Sequence, residues 1–345
     1  MSEFERDKSR EKVAYLDPTN GFQEHTTYVE VREDGVTGVT SRILPHRFRT
    51  AGGQDVREHA EAGAATCPFC RERMEQVTPR FTADVIQEGR FRRGQAVLFP
   101  NAFPYGRNSS VAIFSHEHAL RLSAMDVGIL GDGFLVCRDY FQRLQQMDPA
   151  LGFCSVNWNY MPPAGGGLVH PHLQTICGPR PTAFAAKTHE SARGYQTRTG
   201  RNLWEDLVAH EKREMERYLG QTGPVEWVSS FAPKGMAGEV CFFLPARASI
   251  FTLTDEDVLQ LALGLRCVFR YLEAAGIASF NLALDATLMD DAAFGVRGRL
   301  IPRFTLPPLG ISDVNYYEKL QNEIICITVP EDMAREMRPF FERRR

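Results

Sequence analysis

His170-Pro-His172-Leu-Gln174 is the segment whose residue types and spacing point most directly to chemistry. On a strand, residues two apart share a face, so the spacing predicts His170, His172 and Gln174 on one side. Two imidazoles and an amide suit a phosphate ester. One imidazole can act as nucleophile, and an amide N–H can bind a non-bridging oxygen. Gly165, Gly166 and Gly167 lie just upstream and supply backbone that a ligand can approach closely. The plain alternative is an exposed strand with two ordinary histidines; the adjoining glycines and a separate cysteine pair weigh against it.

Cys67-Pro-Phe-Cys70 has the spacing of half a zinc site. Two more N or S ligands are needed, from His116 or His118 and from His170. A set of Cys67, Cys70, His118 and His170 would anchor a long loop to the reactive strand. Four protein ligands close the shell, so one zinc per chain would be structural and not a Lewis acid. A redox thiol pair is the alternative, but such a pair opens a helix of a thioredoxin-like unit and nothing here reads that way. His116 could exchange roles with His118. His25, His46, His59, His189 and His210 have no partner at ligand spacing and are expected to be structural or exposed. Leu98-Phe-Pro-Asn-Ala-Phe-Pro-Tyr105 joins aromatics, prolines and an amide in one loop. Phe103 there could pack on a nucleobase and Asn101 on a hydroxyl, although such loops are more often hydrophobic plugs.

These residues need elements to position them. The first 25 or so residues are polar and are expected to be loosely ordered. Thr26–Asp34 alternates like a strand, and the Gly/Ala-rich residues 50–66 read as a loop leading to the cysteines. Strands are expected over Gln95–Phe99, Ser110–Ser115, Phe153–Asn159 and Val169–Cys177. Ser123 is expected to cap a helix whose stripe runs through Leu130, Phe134, Cys137, Phe141 and Leu144. The second half repeats the plan: a strand at Val240–Leu244, a helix starting at Thr254 with Gly276 behind it, and strands at Phe280–Asp285 and Arg299–Leu306. Val111–Leu122 overlays Val240–Phe251, Asn159 overlays Asp285, and His170-Pro-His172 overlays Ile301-Pro-Arg303. Several overlays in one order indicate a tandem repeat. Arg247, Ile301 and Arg303 then replace the histidines, so chemistry is expected in the first copy. The reading is an α+β chain of two tandem modules, each an antiparallel sheet with packed helices. Its divisions are an N-terminal segment 1–40, a catalytic module 41–185 and a degenerate module 186–345.

The 345 residues carry 40 Lys+Arg against 43 Asp+Glu, a net charge of −3, which argues against bulk nucleic-acid binding. A small phosphorylated ligand needs only local donors. No apolar run of ~18 residues is present, so no transmembrane helix and no membrane partner are expected. The charged start lacks a signal-peptide core, so a cytoplasmic protein with thiol cysteines is expected.

CPFC, the FPNAFPY loop, FSHEH, the glycines and HPHLQ occur in this order, and together they resemble the galactose-1-phosphate uridylyltransferase branch of the histidine-triad superfamily over roughly residues 40–330. The resemblance implies that His172 is the nucleophile, Gln174 the phosphate-orienting amide, and Cys67, Cys70, His118 and His170 the zinc ligands. It implies a phosphate contact at Asn159, nucleoside contacts at Asn101 and Phe103, and a sugar-phosphate contact at Glu318. It also implies a homodimer and, as partners, a nucleotide sugar and a phosphorylated acceptor. Departures limit it. Asp285, Ile301 and Arg303 stand where the family often has a second metal site, Glu190 lacks partners for one, and no second metal is expected. Ala102 replaces a common acidic nucleoside contact, and Gly167 replaces a common serine. The implied activity is transfer of a nucleoside monophosphate between a nucleoside-diphosphate sugar and a sugar 1-phosphate, through a nucleotidyl-histidine. Alternatives are a phosphorylase acting with inorganic phosphate on a nucleoside-diphosphate sugar or dinucleoside polyphosphate, and a zinc-stabilised nucleotide-binding protein. A hydrolase is disfavoured because Gln174 replaces a histidine.

Overall fold

β1 (Lys8–Asp17) pairs along its whole length with β2 (Gln23–Glu33), and β3 (Thr40–Ile43) adds to β2. The expectation of a loose N-terminus is therefore wrong. Every residue of β1 before Asp17 is exposed, so no apolar alternation marks the strand. Backbone pairing to β2 holds it instead. The structure, a computed structural model, describes residues 7–45, 63–306 and 310–343. His46, His59 and most of the loop expected over 50–66 lie outside the described residues.

α1 (Arg71–Val77) follows the cysteine pair, then β4 (Phe91–Arg93), β5 (Ala96–Pro100) and β6 (Asn108–Ile113). α2 (Val127–Met147) leads to β7 (Phe153–Tyr160) and β8 (His172–Gly178). Next come α3 (Ala183–Thr199), α4 (Leu203–Glu214), β9 (Tyr218–Thr222), β10 (Val225–Ser229) and β11 (Val240–Leu244). α5 (Asp255–Ala274), β12 (Ser279–Thr287) and β13 (Val296–Arg303) complete the second half. The chain ends with β14 (Thr305–Leu306), β15 (Ile311–Ser312), α6 (Tyr316–Gln321), β16 (Ile324–Cys326), which pairs with β3, and α7 (Pro330–Glu342).

One antiparallel sheet runs β4-β5-β6-β8-β7-β12-β13-β11-β10-β9. Its order is the same from both ends, and the halves meet where β7 pairs with β12. This is the two-module α+β architecture expected. Leu130, Phe134 and Phe141 of α2 and Leu261, Leu265 and Phe269 of α5 bury against one face with Trp158 and Phe280 between them. Functional side chains are thereby left to the other face. Among the described residues no helix is long and apolar enough to cross a membrane.

Local signals account for the helix starts, with one correction. Asp126, not Ser123, caps α2, its Oδ1 accepting from Ile129 N at 2.8 Å; Leu122–Ala124 is a short 3-10 turn before it. Thr254 caps α5 as expected, with Asp257 completing a capping box. α3 had no sequence signal, because it buries only Ala185, Thr188, Ala192 and Tyr195 and shows no large apolar stripe.

The sheet register corrects the repeat. If Asn159 overlays Asp285, Asn157 overlays Ala283. Asn157 lies opposite Gln174, and Ala283 lies opposite Arg299. On that overlay Arg299 takes the place of Gln174, and Arg297 that of His172. The overlay of His170-Pro-His172 on Ile301-Pro-Arg303 keeps a proline but is incompatible with it, since Arg303 pairs with Ser279 and not with Asp285. The overlay of Val111 on Val240 fails similarly, since Val111 faces away from the main core and Val240 faces into it. A shift by one residue moves a strand's side chains to the other face.

Candidate active site and metal centre

Cys67, Cys70, His118 and His170 converge, with one ligand atom of each lying within 4.8 Å of the others. Cys70 Sγ is 3.4 Å from His118 Nδ1 and 3.9 Å from His170 Nδ1, and Cys67 Sγ is 3.8 Å from His170 Nδ1. A tetrahedral ion with Zn–S and Zn–N bonds of ~2.0–2.3 Å needs ligand atoms about 3.3–3.8 Å apart. Two thiols and two imidazoles at these separations fit such an ion. Burial, with Cys67 alongside, pushes the Cys70 thiol up to about 11; a bound cation would reverse that preference. His116 stands outside the cluster, and the positions of His118 and His170 match the ligand set expected from sequence.

One expectation about this segment fails. β8 begins at His172, so His170 precedes the strand instead of lying on it. The difference gives the two histidines separate tasks. His170 is fully buried, and its Nε2–H donates to Ser115 O at 2.9 Å, which leaves the Nδ1 lone pair for the cysteines. Burial lowers this ring to about 4, so it is neutral as a ligand must be. His172 donates from the opposite nitrogen: Nδ1–H bonds the carbonyl of His170 at 2.8 Å. Its Nε2 lone pair is left for chemistry. Burial also lowers His172, which is 7% exposed. Phe69, between the two cysteines, packs edge-on against both rings, with centroids at 6.0 and 5.2 Å.

Gln174 follows His172 on the outward face of β8 and lies opposite Asn157 of β7. Asn157 donates to Ser155 Oγ at 2.9 Å and sits where it can join Gln174 at a bound phosphate. Sequence reasoning missed it, although alternation with Asn159 along β7 marks the face. Asn159 Oδ1 accepts from Asn281 Nδ2 at 2.7 Å. Asn281 also donates to Ala164 O at 2.8 Å, in the turn before the glycines, and accepts from Arg303 Nη1 at 2.5 Å. Arg303 is held by a bidentate pair to Asp313, both bonds 2.7 Å. The second half thus reaches into the first through Asn281 and Arg303, which sequence reasoning also missed. Their signal exists only in the pairing of β7 with β12.

Of the three glycines, Gly166 has the clearest steric need, since a Cβ there would meet Asn159 O at 2.9 Å and Met161 O at 3.0 Å. Gly165 adopts φ +81, which favours glycine. Gly167 has open space around its Cα. Asn101 Oδ1 accepts from Phe103 N at 2.9 Å and so shapes its own loop, and Phe103 is 84% exposed, with a ring face free for a base. Glu318, on α6, is half-buried; burial raises its carboxyl against the lowering by Lys319 and Arg303. His189 pairs with Asp291 at 2.8 Å, His210 accepts from Arg213 at 2.9 Å and His25 touches the Tyr15 ring, so all three are structural as expected. Glu190 is exposed on α3.

No protein-family model matches the chain. An uncharacterized protein of Archaeoglobus fulgidus is 29% identical over 314 residues, covering 90% of this chain and 92% of that one. Two solved structures from Arabidopsis thaliana are similar: a GalT-like protein and an ADP-glucose phosphorylase with bound ADP-glucose. Both superpose with a TM-score of 0.68 at 19% and 18% identity, covering 90% of this chain and 98% of theirs. A uridylyltransferase structure follows at a TM-score of 0.64 and 19% identity, with the same coverage.

Proposed function

We propose that this chain, which has the fold of the galactose-1-phosphate uridylyltransferases and their GalT-like relatives, is a nucleotidyl-transferring enzyme working through His172. The observation that carries this is the tautomer of His172, held through Nδ1 and lowered by burial, which leaves the Nε2 lone pair for chemistry two residues before Gln174 on β8. In the reaction Nε2 attacks the α-phosphorus of a nucleoside-diphosphate sugar. A P–N bond forms as the P–O bond to the sugar phosphate breaks. The Gln174 amide N–H holds a non-bridging oxygen as its charge develops. A phosphate oxygen of the acceptor then attacks the same phosphorus and frees the histidine.

Cys67, Cys70, His118 and His170 would hold a structural zinc, which supplies rigidity and no Lewis acid. His170 joins the two centres: its ring faces the cysteines and its carbonyl orients the nucleophile. Residues 41–185 carry the chemistry in this reading, and 186–345 brace it through Asn281 and Arg303. Asn101 and Phe103 take the nucleoside, and Glu318 the sugar phosphate. The enzyme is cytoplasmic and homodimeric, and the exposed Tyr15, Leu16, Phe22 and Tyr28 of the N-terminal hairpin support an apolar dimer contact.

The acceptor is a sugar 1-phosphate or, as the name of the ADP-glucose phosphorylase neighbour suggests, inorganic phosphate. Initial rates with ADP- and UDP-glucose against each acceptor test the reading. Parallel double-reciprocal lines with one acceptor are expected. Converging lines would overturn the covalent route, and binding without turnover would favour a nucleotide-binding protein.

A further inference from the structure

The faces of β7–β8 and β12–β13 occupy equivalent places in one sheet, yet only the first carries the histidines. Over the second lies a cavity of about 290 Å³, roofed by α3 and α4 and closed by the turn at residues 34–37. That volume lies near the lower end for small-ligand sites. Asp285, Arg297 and Arg299, on the outward side of β12 and β13, line its floor. Trp204, Tyr195 and Phe243 supply aromatic wall.

The charges there are incompletely paired. Arg297 is 6% exposed, its Nη1 donates to Phe294 O, and its guanidinium lies over the Trp204 ring at 4.8 Å. Arg299 and Lys234 flank the Phe184 ring, 3.9 and 3.8 Å from its centroid. Glu239 pairs with Arg299 at 3.3 Å and also accepts from the backbone N–H of Lys234 at 2.9 Å. Asp285 stands opposite Arg297 in the ladder, but among the described residues no hydrogen bond or ion pair joins them. Asp34, Glu239 and Asp285 line the same cavity and offset part of this charge, but the buried guanidinium of Arg297 makes one hydrogen bond, to a carbonyl, and no ion pair among the described residues, an arrangement an anion would complete. Two guanidiniums match phosphate oxygens in shape and charge, and Asp285 remains as an acceptor for ligand hydroxyls.

We propose that this cavity is a second, non-catalytic binding site for a small phosphate ester, of the class of a nucleoside monophosphate. Arg297, Arg299 and Lys234 take the phosphate, and Asp285 takes a hydroxyl. With arginine in place of the nucleophilic imidazole, the site binds without forming an adduct. The choice of a phosphate ester rests partly on reading His172 and Gln174 as phosphate contacts; the buried Arg297 guanidinium, with no ion pair among the described residues, argues for an anion independently.

Calorimetric titration of the full chain with AMP, UMP and inorganic phosphate tests this, with Arg299→Gln, Arg297→Lys and Gln174→Ala alongside. Two classes of site for a monophosphate are expected. Arg299→Gln and Arg297→Lys should each weaken one class at least tenfold, and Gln174→Ala the other. Should Arg297→Lys fail to fold, the half-buried Arg299 still reports. A single class that responds to Gln174→Ala and not to Arg299→Gln would overturn the proposal and leave the catalytic reading standing. A single class that responds only to Arg299→Gln would uphold it and contradict the catalytic reading. Binding of inorganic phosphate alone at the arginine site would overturn the nucleotide-sized ligand. No binding of any probe would overturn the site.

Discussion

The outward faces of β7–β8 and β12–β13 share one sheet and one pattern of neighbours, and differ in a few side chains. The first presents His172 and Gln174 beside a Cys/His cluster; the second presents Arg297 and Arg299 beneath α3 and α4. An imidazole offers a lone pair to phosphorus, whereas a guanidinium offers only donors and positive charge. On the proposed reading, the same scaffold attacks a phosphate at one end and holds one at the other. What separates the two is small: the tautomer that the carbonyl of His170 imposes, and the loop that brings the cysteines to His170.

The largest effect should come from His172→Ala, which removes the only group assigned to bond phosphorus. Transfer should fall by about 10⁴-fold or more, measured as initial rate at saturating nucleotide sugar, with the melting temperature little changed. Loss of less than tenfold would move the chemistry elsewhere. Cys67→Ser comes next. Metal analysis should find about one zinc per wild-type chain and well under one in the variant, with a stability loss of about 3 kcal/mol or more in denaturant. A full complement of zinc in the variant would contradict the ligand set.

A smaller effect tests the link between the two faces. Asn281→Ala cuts the bond to Asn159 and the bond to the turn before the glycines. The turnover number should fall by about tenfold while zinc content stays at one, a split that general destabilisation would not produce.

The smallest effect on transfer should come from Glu331→Gln, on α7 and outside the β7–β8 face. Glu331 on α7 bonds Arg32 of β2 at 2.9 Å and Arg217 at 2.8 Å. Burial would raise its carboxyl, but Arg32 and then Arg217 hold it down to about 2. A carboxyl depressed on folding stabilises above its ordinary range and loses that contribution as pH falls from about 5 toward 2. The variant should cost about 2 kcal/mol at neutral pH and have a flatter stability profile across that acid range. Equal slopes for the two proteins would show that the pair does not couple α7 to the N-terminal sheet.

The contrast between the faces also shows what a sequence carries. CPFC and HPHLQ were legible because ligand spacing and the run of histidines are local, and the tertiary structure brings His118 to them. Helices α2 and α5 were legible from their stripes. Arg297 and Arg299 were not, because the outward face they share with Asp285 is a property of strand register. Asn157 and Asn281 act through cross-strand neighbours, and β1 has no buried face to betray it. The strand expected from Val169 begins at His172, and His170 joins the cysteines from the segment before it.

The central claim is that His172 Nε2 accepts a nucleotidyl group. The most direct test is to mix the protein with a nucleotide sugar and no acceptor, quench in base, and map the added mass by peptide. One nucleoside monophosphate, stable to base and labile to acid, is expected on His172 and on no peptide containing Arg297 or Arg299. An unmodified His172 peptide while turnover proceeds, or an adduct on another residue, would contradict the account.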